Sequence, residues 1–253
     1  MSKEELVKAG APIVVPDFLK EVRGHEGLEN VQQEDLVLPR LAICQSMSPQ
    51  RVKGSAEHIA GLEEGDYFNT VTREVYSEVT LIPLLYQRSR IYFRKLTEGG
   101  GILCQSRNGI NGGKLHPAGC ESCEHSRFTD DGKPHCDLFM NMVSLLIEPT
   151  VPSPQLVVVS FKSAALKTAK QWVALLQARD FPPYAQVYNF KTISQKNTKG
   201  TYYIPKIDLK RYVSPEEFAF AKGQYEDLRG KDIDVEPEVD GEVVHDDAAQ
   251  AAF

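Results

Sequence analysis

The 253-residue chain has no run of about 18 apolar residues, so nothing in it reads as a membrane-spanning helix. Its opening, MSKEELVKAGAPIVVPDFL, lacks a continuous apolar stretch before a small-residue cleavage site, and acidic residues follow at once on Lys3. That argues against a secretory signal and for a reducing, cytosolic setting. There, clustered cysteines serve more often as metal ligands or catalytic groups than as disulfides. Other absences narrow the function. No internal repeat, no basic recognition helix and no compact His/Asn or carboxylate cluster beside the basic segments is evident, which weakens repeat scaffolds, duplex readers and nucleases. A zinc nucleobase deaminase needs H-x-E and then P-C-x-x-C, but Ala60 stands where the glutamate after His58 should be and Gly119 precedes the C-x-x-C.

Cysteine is scarce but concentrated: four of five lie in CQSRNGINGGKLHPAGCESCEHSRFTDDGKPHC, residues 104–136. Cys120 and Cys123 form a C-x-x-C knuckle, a turn that lets two thiolates face one ion. With Cys104 upstream and Cys136 downstream the spacing is C-x15-C-x2-C-x12-C, compatible with one tetrahedral zinc held by four thiolates. His116, His125 and His135 are possible substitutes for one of them. Four protein ligands leave no open position for water, so the expected zinc, one per chain, is structural: a clamp on a loop at about 99–138 that is too polar to fold by burial. A redox C-x-x-C would sit at a strand-to-helix junction, whereas these flanks read as loop. Cys44, in the apolar run LPRLAIC, reads as a buried thiol.

β-Branched and aromatic runs at 40–46, 66–72, 78–96, 139–149 and 155–162 are separated by Gly, Pro, Asn and Ser, and predict strands. VYNFKTISQKNTKGTYYIPKI predicts a hairpin turning at KNTKG. A helix is expected over 163–180, capped by Ser163, with Leu166, Ala169, Trp172, Val173, Leu175 and Leu176 on its apolar stripe. A second is expected over 214–230, with Ser214 as cap, Pro215 at the first position and two glutamates in the first turn. The class is mainly β with a few helices (α+β), and the expected architecture is an OB-like barrel with the zinc loop inserted. Residues 1–38 are expected to form an arm, 39–229 the barrel domain, and 230–253 a disordered acidic tail.

Net charge is −6, which alone disfavours a nucleic-acid partner, but the distribution reverses that. From Gly230 onward one lysine faces eight carboxylates, leaving the rest of the chain nearly neutral and its cations gathered on particular strands. In LLYQRSRIYFR, period-2 geometry puts Tyr86, Arg88, Arg90, Tyr92 and Arg94 on one face and Leu85, Gln87, Ser89, Ile91 and Phe93 on the other. Alternating cation and ring suits single-stranded nucleic acid, with phosphates on arginine and unstacked bases on tyrosine. Lys95 and Arg107 extend this candidate groove. The hairpin repeats the combination with Tyr188, Phe190, Lys191, Lys196, Lys199, Tyr202, Tyr203 and Lys206. The tail, uniformly acidic with Asp246 and Asp247 near its end and Phe253 last, reads as a hook for a partner: a ring for an apolar pocket and carboxylates for a basic rim.

Together these features resemble the zinc-containing, OB-fold single-stranded DNA-binding proteins of bacteriophages, over roughly residues 30–253. The resemblance implies sequence-nonspecific coating of DNA strands in replication, recombination and repair, without catalysis, in the cytoplasm of the infected bacterium. It also implies contacts of the tail with polymerase, helicase or primase. It carries over to Cys104, Cys120, Cys123, Cys136, the acidic tail and Phe253; the N-terminus lacks the strongly basic arm of some members. Two alternatives from other classes are a zinc-stabilised transcription accessory or other polymerase-interacting factor, and a zinc-stabilised phage nuclease.

Overall fold

The computed structural model describes residues 38–128, 134–148, 153–198 and 200–231, together with Gly27 and Gly132. Strands β1 (Leu41–Ile43), β2 (Tyr67–Asn69) and β3 (Val75–Tyr76) make a small antiparallel sheet. The main sheet is built on β4 (Val79–Phe93), with β5 (Ile102–Ser106), β6 (Cys136–Leu146), β7 (Gln155–Phe161), β8 (Gln186–Asn197) and β9 (Gly200–Tyr212). Its order is β7-β6-β4-β8-β9, and β5 pairs with the far end of β4. Helices α1 (Leu166–Ala178) and α2 (Pro215–Leu228) complete the fold.

Each helix covers a different face of this sheet. Trp172 of α1 packs with Phe161, Tyr188, Phe190, Met140 and Met142 in one core. Ala221 and Leu228 of α2 pack on Ile82, Leu84, Val143 and Leu145 in the other. Ala169, Trp172 and Leu176 are the buried positions of α1, a spacing that follows the 3.6-residue period, while Leu175 stays exposed. Ser163 does not cap α1. It has a φ of +48° and begins a 3-10 turn, Ser163–Ala165, that precedes the helix. Ser214 does cap α2: its hydroxyl accepts from the Glu217 N–H at 3.2 Å, and the Glu217 carboxylate accepts from the Ser214 N–H at 2.8 Å, a reciprocal capping box.

β4 is shared by two partners on one edge. Its ladder with β8 spans only Val79–Leu81, and Pro83, which has no N–H to donate, follows where that ladder ends. A register shift between Pro83 and Leu85 accommodates the proline against β6. At the other end β4 takes β5, from Arg90 to Phe93.

The mainly β class with two helices holds, but the expected barrel does not form; the sheets remain open. The small sheet reaches both free edges of the large one without completing a ladder to either. On the β7 side there is a single parallel bridge, Arg40 to Val158, with the Val158 N–H donating to Pro39 at 2.8 Å. On the β9 side the Gln45 amide replaces a strand, donating to the Tyr203 carbonyl and accepting from its N–H, both at 2.9 Å. Two residues on, Pro205 has no donor to offer a further strand. A cleft of about 190 Å³ between β1, the end of β7 and β9 marks the gap. β3 and β5 were not anticipated: the first is two residues long, and the second stands between three glycines at 99–101 and Arg107, Asn108 and Gly109, a context that reads as loop.

Candidate nucleic-acid interface and cysteine loop

The alternation expected of β4 is present. Tyr86 and Arg88 are exposed and Arg90 and Tyr92 half-buried, while Ser89 and Ile91 between them are buried. Tyr86 lines a crevice with Met142, Trp172 and Val173. Burial of part of its ring raises the phenol pKa, and the Arg88 charge beside it acts in the opposite sense. Arg88 and Arg94 enter no ion pair with a described residue. Lys95 is exposed beyond the strand, and the Arg107 carbonyl accepts from the Gln87 amide at 2.8 Å.

The cysteine loop lies on this same face. Cys104 on β5 and Cys136 at the start of β6 both stand opposite Tyr92, one on each side of β4. Facing residues of antiparallel neighbours project to the same side of a sheet, so two of the four thiols come from rigid strands. The other two come from the knuckle, where the Cys123 N–H donates to the Cys120 carbonyl at 3.3 Å and the Cys120 N–H to Ile110 at 2.9 Å. Gly113 permits the loop to close on β5: a β-carbon there would lie 2.5 Å from the Cys104 sulfur. All four thiols are free of disulfides. Burial pushes the Cys136 thiol up to about 12; the Arg90 charge opposes this, and Cys120, Cys104 and Cys123 add to it.

The other three thiols are thus near enough to Cys136 to bear on its charge. Among the described residues, however, no group of three or more His, Cys, Asp or Glu side chains is drawn together closely enough to hold an ion as it stands. In chemistry and number the four cysteines are a donor set for a thiophilic cation. The histidines have other partners. His116 shares a hydrogen bond of 2.9 Å with Ser122. His125 and His135 lie 5.1 and 5.8 Å from the Tyr92 ring, centroid to centroid. Two contacts tie the loop to the arginine row: the Arg90 guanidinium donates to the Ser126 carbonyl at 3.3 Å, and a β-carbon on Gly109 would meet that of Arg88 at 3.3 Å. Tyr92 and Arg90 are therefore engaged by the loop, which period-2 reasoning did not foresee because it sees one strand at a time.

The hairpin differs from its sequence reading. Tyr188 and Phe190 are fully buried and pack edge-on against Trp172 at 5.4 and 5.2 Å, which removes both from any groove. Lys191 pairs with Glu78 at 3.0 Å and Lys206 with Asp208 at 3.4 Å. The Tyr202 hydroxyl donates to Gln195 at 2.8 Å. Tyr203 is held by Gln45 and packs so closely on Gly65 that a β-carbon there would fall 2.8 Å from its ring. Lys196 is exposed near the turn, where Asn197 pairs with Gly200. Lys199, Asp246, Asp247 and Phe253 lie outside the described residues.

A family model described as Pam3 phage gp34-like protein matches residues 7–234, most of the chain and all of the interface just described. No curated protein matches, and no solved structure does.

Proposed function

The chain belongs to the Pam3 phage gp34-like protein family, and on that footing we propose that it binds single-stranded DNA without sequence preference, as a non-catalytic protein of phage replication, recombination and repair. As a phage-family protein it would act in an infected host cell; no described helix is long and apolar enough to cross a membrane. The observation that carries the reading is the exposed pair Tyr86 and Arg88: a ring beside a cation without a carboxylate partner among the described residues, on a strand face left open between α1 and the cysteine loop. Base stacking on such a ring contributes about 1–3 kcal/mol per base and is indifferent to sequence. The neighbouring cation supplies the phosphate contact and with it a salt dependence.

In this reading the loop is a wall of the groove, and Cys104, Cys120, Cys123 and Cys136 hold a structural zinc that draws the sulfurs together. Bound there, zinc would supply cross-linking and charge neutralisation rather than reaction chemistry. Asp246, Asp247 and Phe253 would contact a replication partner such as a polymerase, helicase or primase.

The test is fluorescence anisotropy of end-labelled oligo(dT), duplex DNA and RNA at two salt concentrations, alongside elemental analysis of protein prepared without chelator. The label belongs on the nucleic acid because Trp172 is buried and makes a poor direct reporter. Expected are tight, salt-dependent binding of oligo(dT), weaker binding of the duplex, and one zinc per chain. Equal, negligible affinity for all three, with retained binding to a polymerase, would replace this reading by that of an accessory factor.

A further inference from the structure

Arg90 belongs by position to the row of Tyr86, Arg88, Arg94 and Tyr92, but its contacts set it apart from them. Its guanidinium donates to the Ser126 carbonyl at 3.3 Å. Ser126 is the hub of the knuckle: its N–H donates to the Cys123 carbonyl at 3.1 Å, its hydroxyl donates to the same carbonyl at 2.9 Å and also to that of Cys120. Arg90 is half-buried, and a β-carbon on Gly109 would pack 3.8 Å from its side chain, so the loop holds it from two sides. It also stands two residues before Tyr92, the residue flanked by Cys104 and Cys136.

Charge gives this arrangement a purpose. Four thiolates around a divalent cation leave an excess of two negative charges, which in a half-buried setting need a fixed cation nearby. Arg90, bonded to Ser126 at the knuckle and two residues before the tyrosine that Cys104 and Cys136 flank, is placed to supply it. From these contacts we infer that Arg90 is a positioning residue for the metal rather than a contact for DNA phosphate: it fastens the knuckle to β4 through Ser126 and balances the charge of the thiolates. The inference rests on the zinc reading above and assigns to one arginine a duty distinct from that of its neighbour Arg88. Outer-shell partners of this kind typically change metal affinity by about 10–100-fold when removed.

The experiment compares the full-length protein with Arg90→Ala, Arg90→Lys and Arg88→Ala in two measurements. The first is competition for zinc against a chromophoric chelator, with cobalt(II) absorption as a signature of tetrahedral thiolate coordination. The second is the salt slope of oligo(dT) binding by zinc-saturated protein. Arg90→Ala should bind zinc about 10–100-fold more weakly with an unchanged salt slope, and Arg90→Lys should recover part of the loss because it keeps the charge. Arg88→Ala should do the reverse, keeping zinc and lowering the slope by about 0.7. Wild-type zinc affinity in Arg90→Ala together with a lowered slope would overturn the inference and return Arg90 to the phosphate row. If Arg90→Ala fails to fold, Arg90→Lys and Arg90→Gln decide by the same two readings. A wild-type protein that takes neither zinc nor cobalt sinks the metal reading itself, and a protein that holds zinc but ignores oligo(dT) sinks only the DNA reading.

Discussion

β4 and the β8–β9 hairpin carry nearly the same text of tyrosines, phenylalanines and cations, and the fold uses them differently. On β4 the ring and charge at positions 86 and 88 are left exposed. On the hairpin the rings at 188 and 190 form the floor under α1, and the lysines at 191 and 206 face carboxylates. The difference comes from what each segment meets. β8 is long enough to run beneath Trp172 before Thr192 reaches Gly65, and Tyr203 of β9 meets Gln45 beside it. The middle of β4 has α1 over only part of its face. A basic–aromatic pattern is therefore a statement about composition, and exposure decides whether it is a binding surface or a core with a charged rim.

The largest effect should come from the hairpin's buried side. Phe190→Ala removes a fully buried ring from contact with Trp172, and cavities of this kind cost about 3–5 kcal/mol. Chemical denaturation should show that loss, whereas the salt slope of oligo(dT) binding should be unchanged under conditions where the variant remains folded. A stable Phe190→Ala protein with weakened DNA binding would put the hairpin back in the groove. Next in size is Tyr86→Ala. It should weaken oligo(dT) binding by about 1–3 kcal/mol and leave its salt slope alone, because no counterion is released by a neutral ring.

Much of this was legible from the chain, for reasons that are local. The strand runs, the hairpin turn and the Ser214 cap with Pro215 and two glutamates after it are written in neighbouring residues, and each formed close to where it was expected. The period-2 face of β4 was also legible, since Tyr86, Arg88, Ser89 and Ile91 alternate as the pattern requires. What could not be read was the pairing of distant segments. That Cys104 and Cys136 flank one tyrosine depends on β5 and β6 lying either side of β4, and β5 itself was hidden among glycines. The fate of Arg90 depends on a carbonyl 36 positions away. The way the small sheet meets β9 is likewise a distant pairing, Gln45 with Tyr203, 158 positions apart.

A smaller effect, on the far face of the sheet, supplies a control for both regions. Glu217 accepts from Arg211 at 2.6 and 2.7 Å and from the Ser214 N–H, and these contacts, led by Arg211, hold its carboxyl below the usual range. A carboxylate whose folded pKa is depressed adds stability above its unfolded pKa, and that stability is lost as pH falls through the folded value. The pair itself is half in water and contributes little; the capping box is worth about 1 kcal/mol. Glu217→Ala should therefore lower stability by about 1 kcal/mol at neutral pH. The gap from wild type should narrow in acid, and neither zinc content nor DNA affinity should change.

The smallest expected effect is the most discriminating for the comparison. If the hairpin lysines are spent on Glu78 and Asp208, removing one forfeits no phosphate contact, so Lys206→Ala should alter the salt slope of oligo(dT) binding by much less than the roughly 0.7 expected for each phosphate neutralised on a single strand. Its affinity should shift only slightly, through the general field of a surface charge, and that shift should vanish as salt shortens the Debye length. Arg88→Ala, measured in the same series, should show the full step. Lys196→Ala belongs in the series as well, because that lysine is exposed near the turn without an ion pair to a described residue. A drop at Lys196 but not at Lys206 would extend the groove to the hairpin tip while leaving its base as core. Equal drops at Lys206 and Arg88 would mean that DNA breaks the Lys206–Asp208 pair on binding, and the two regions would then form one surface.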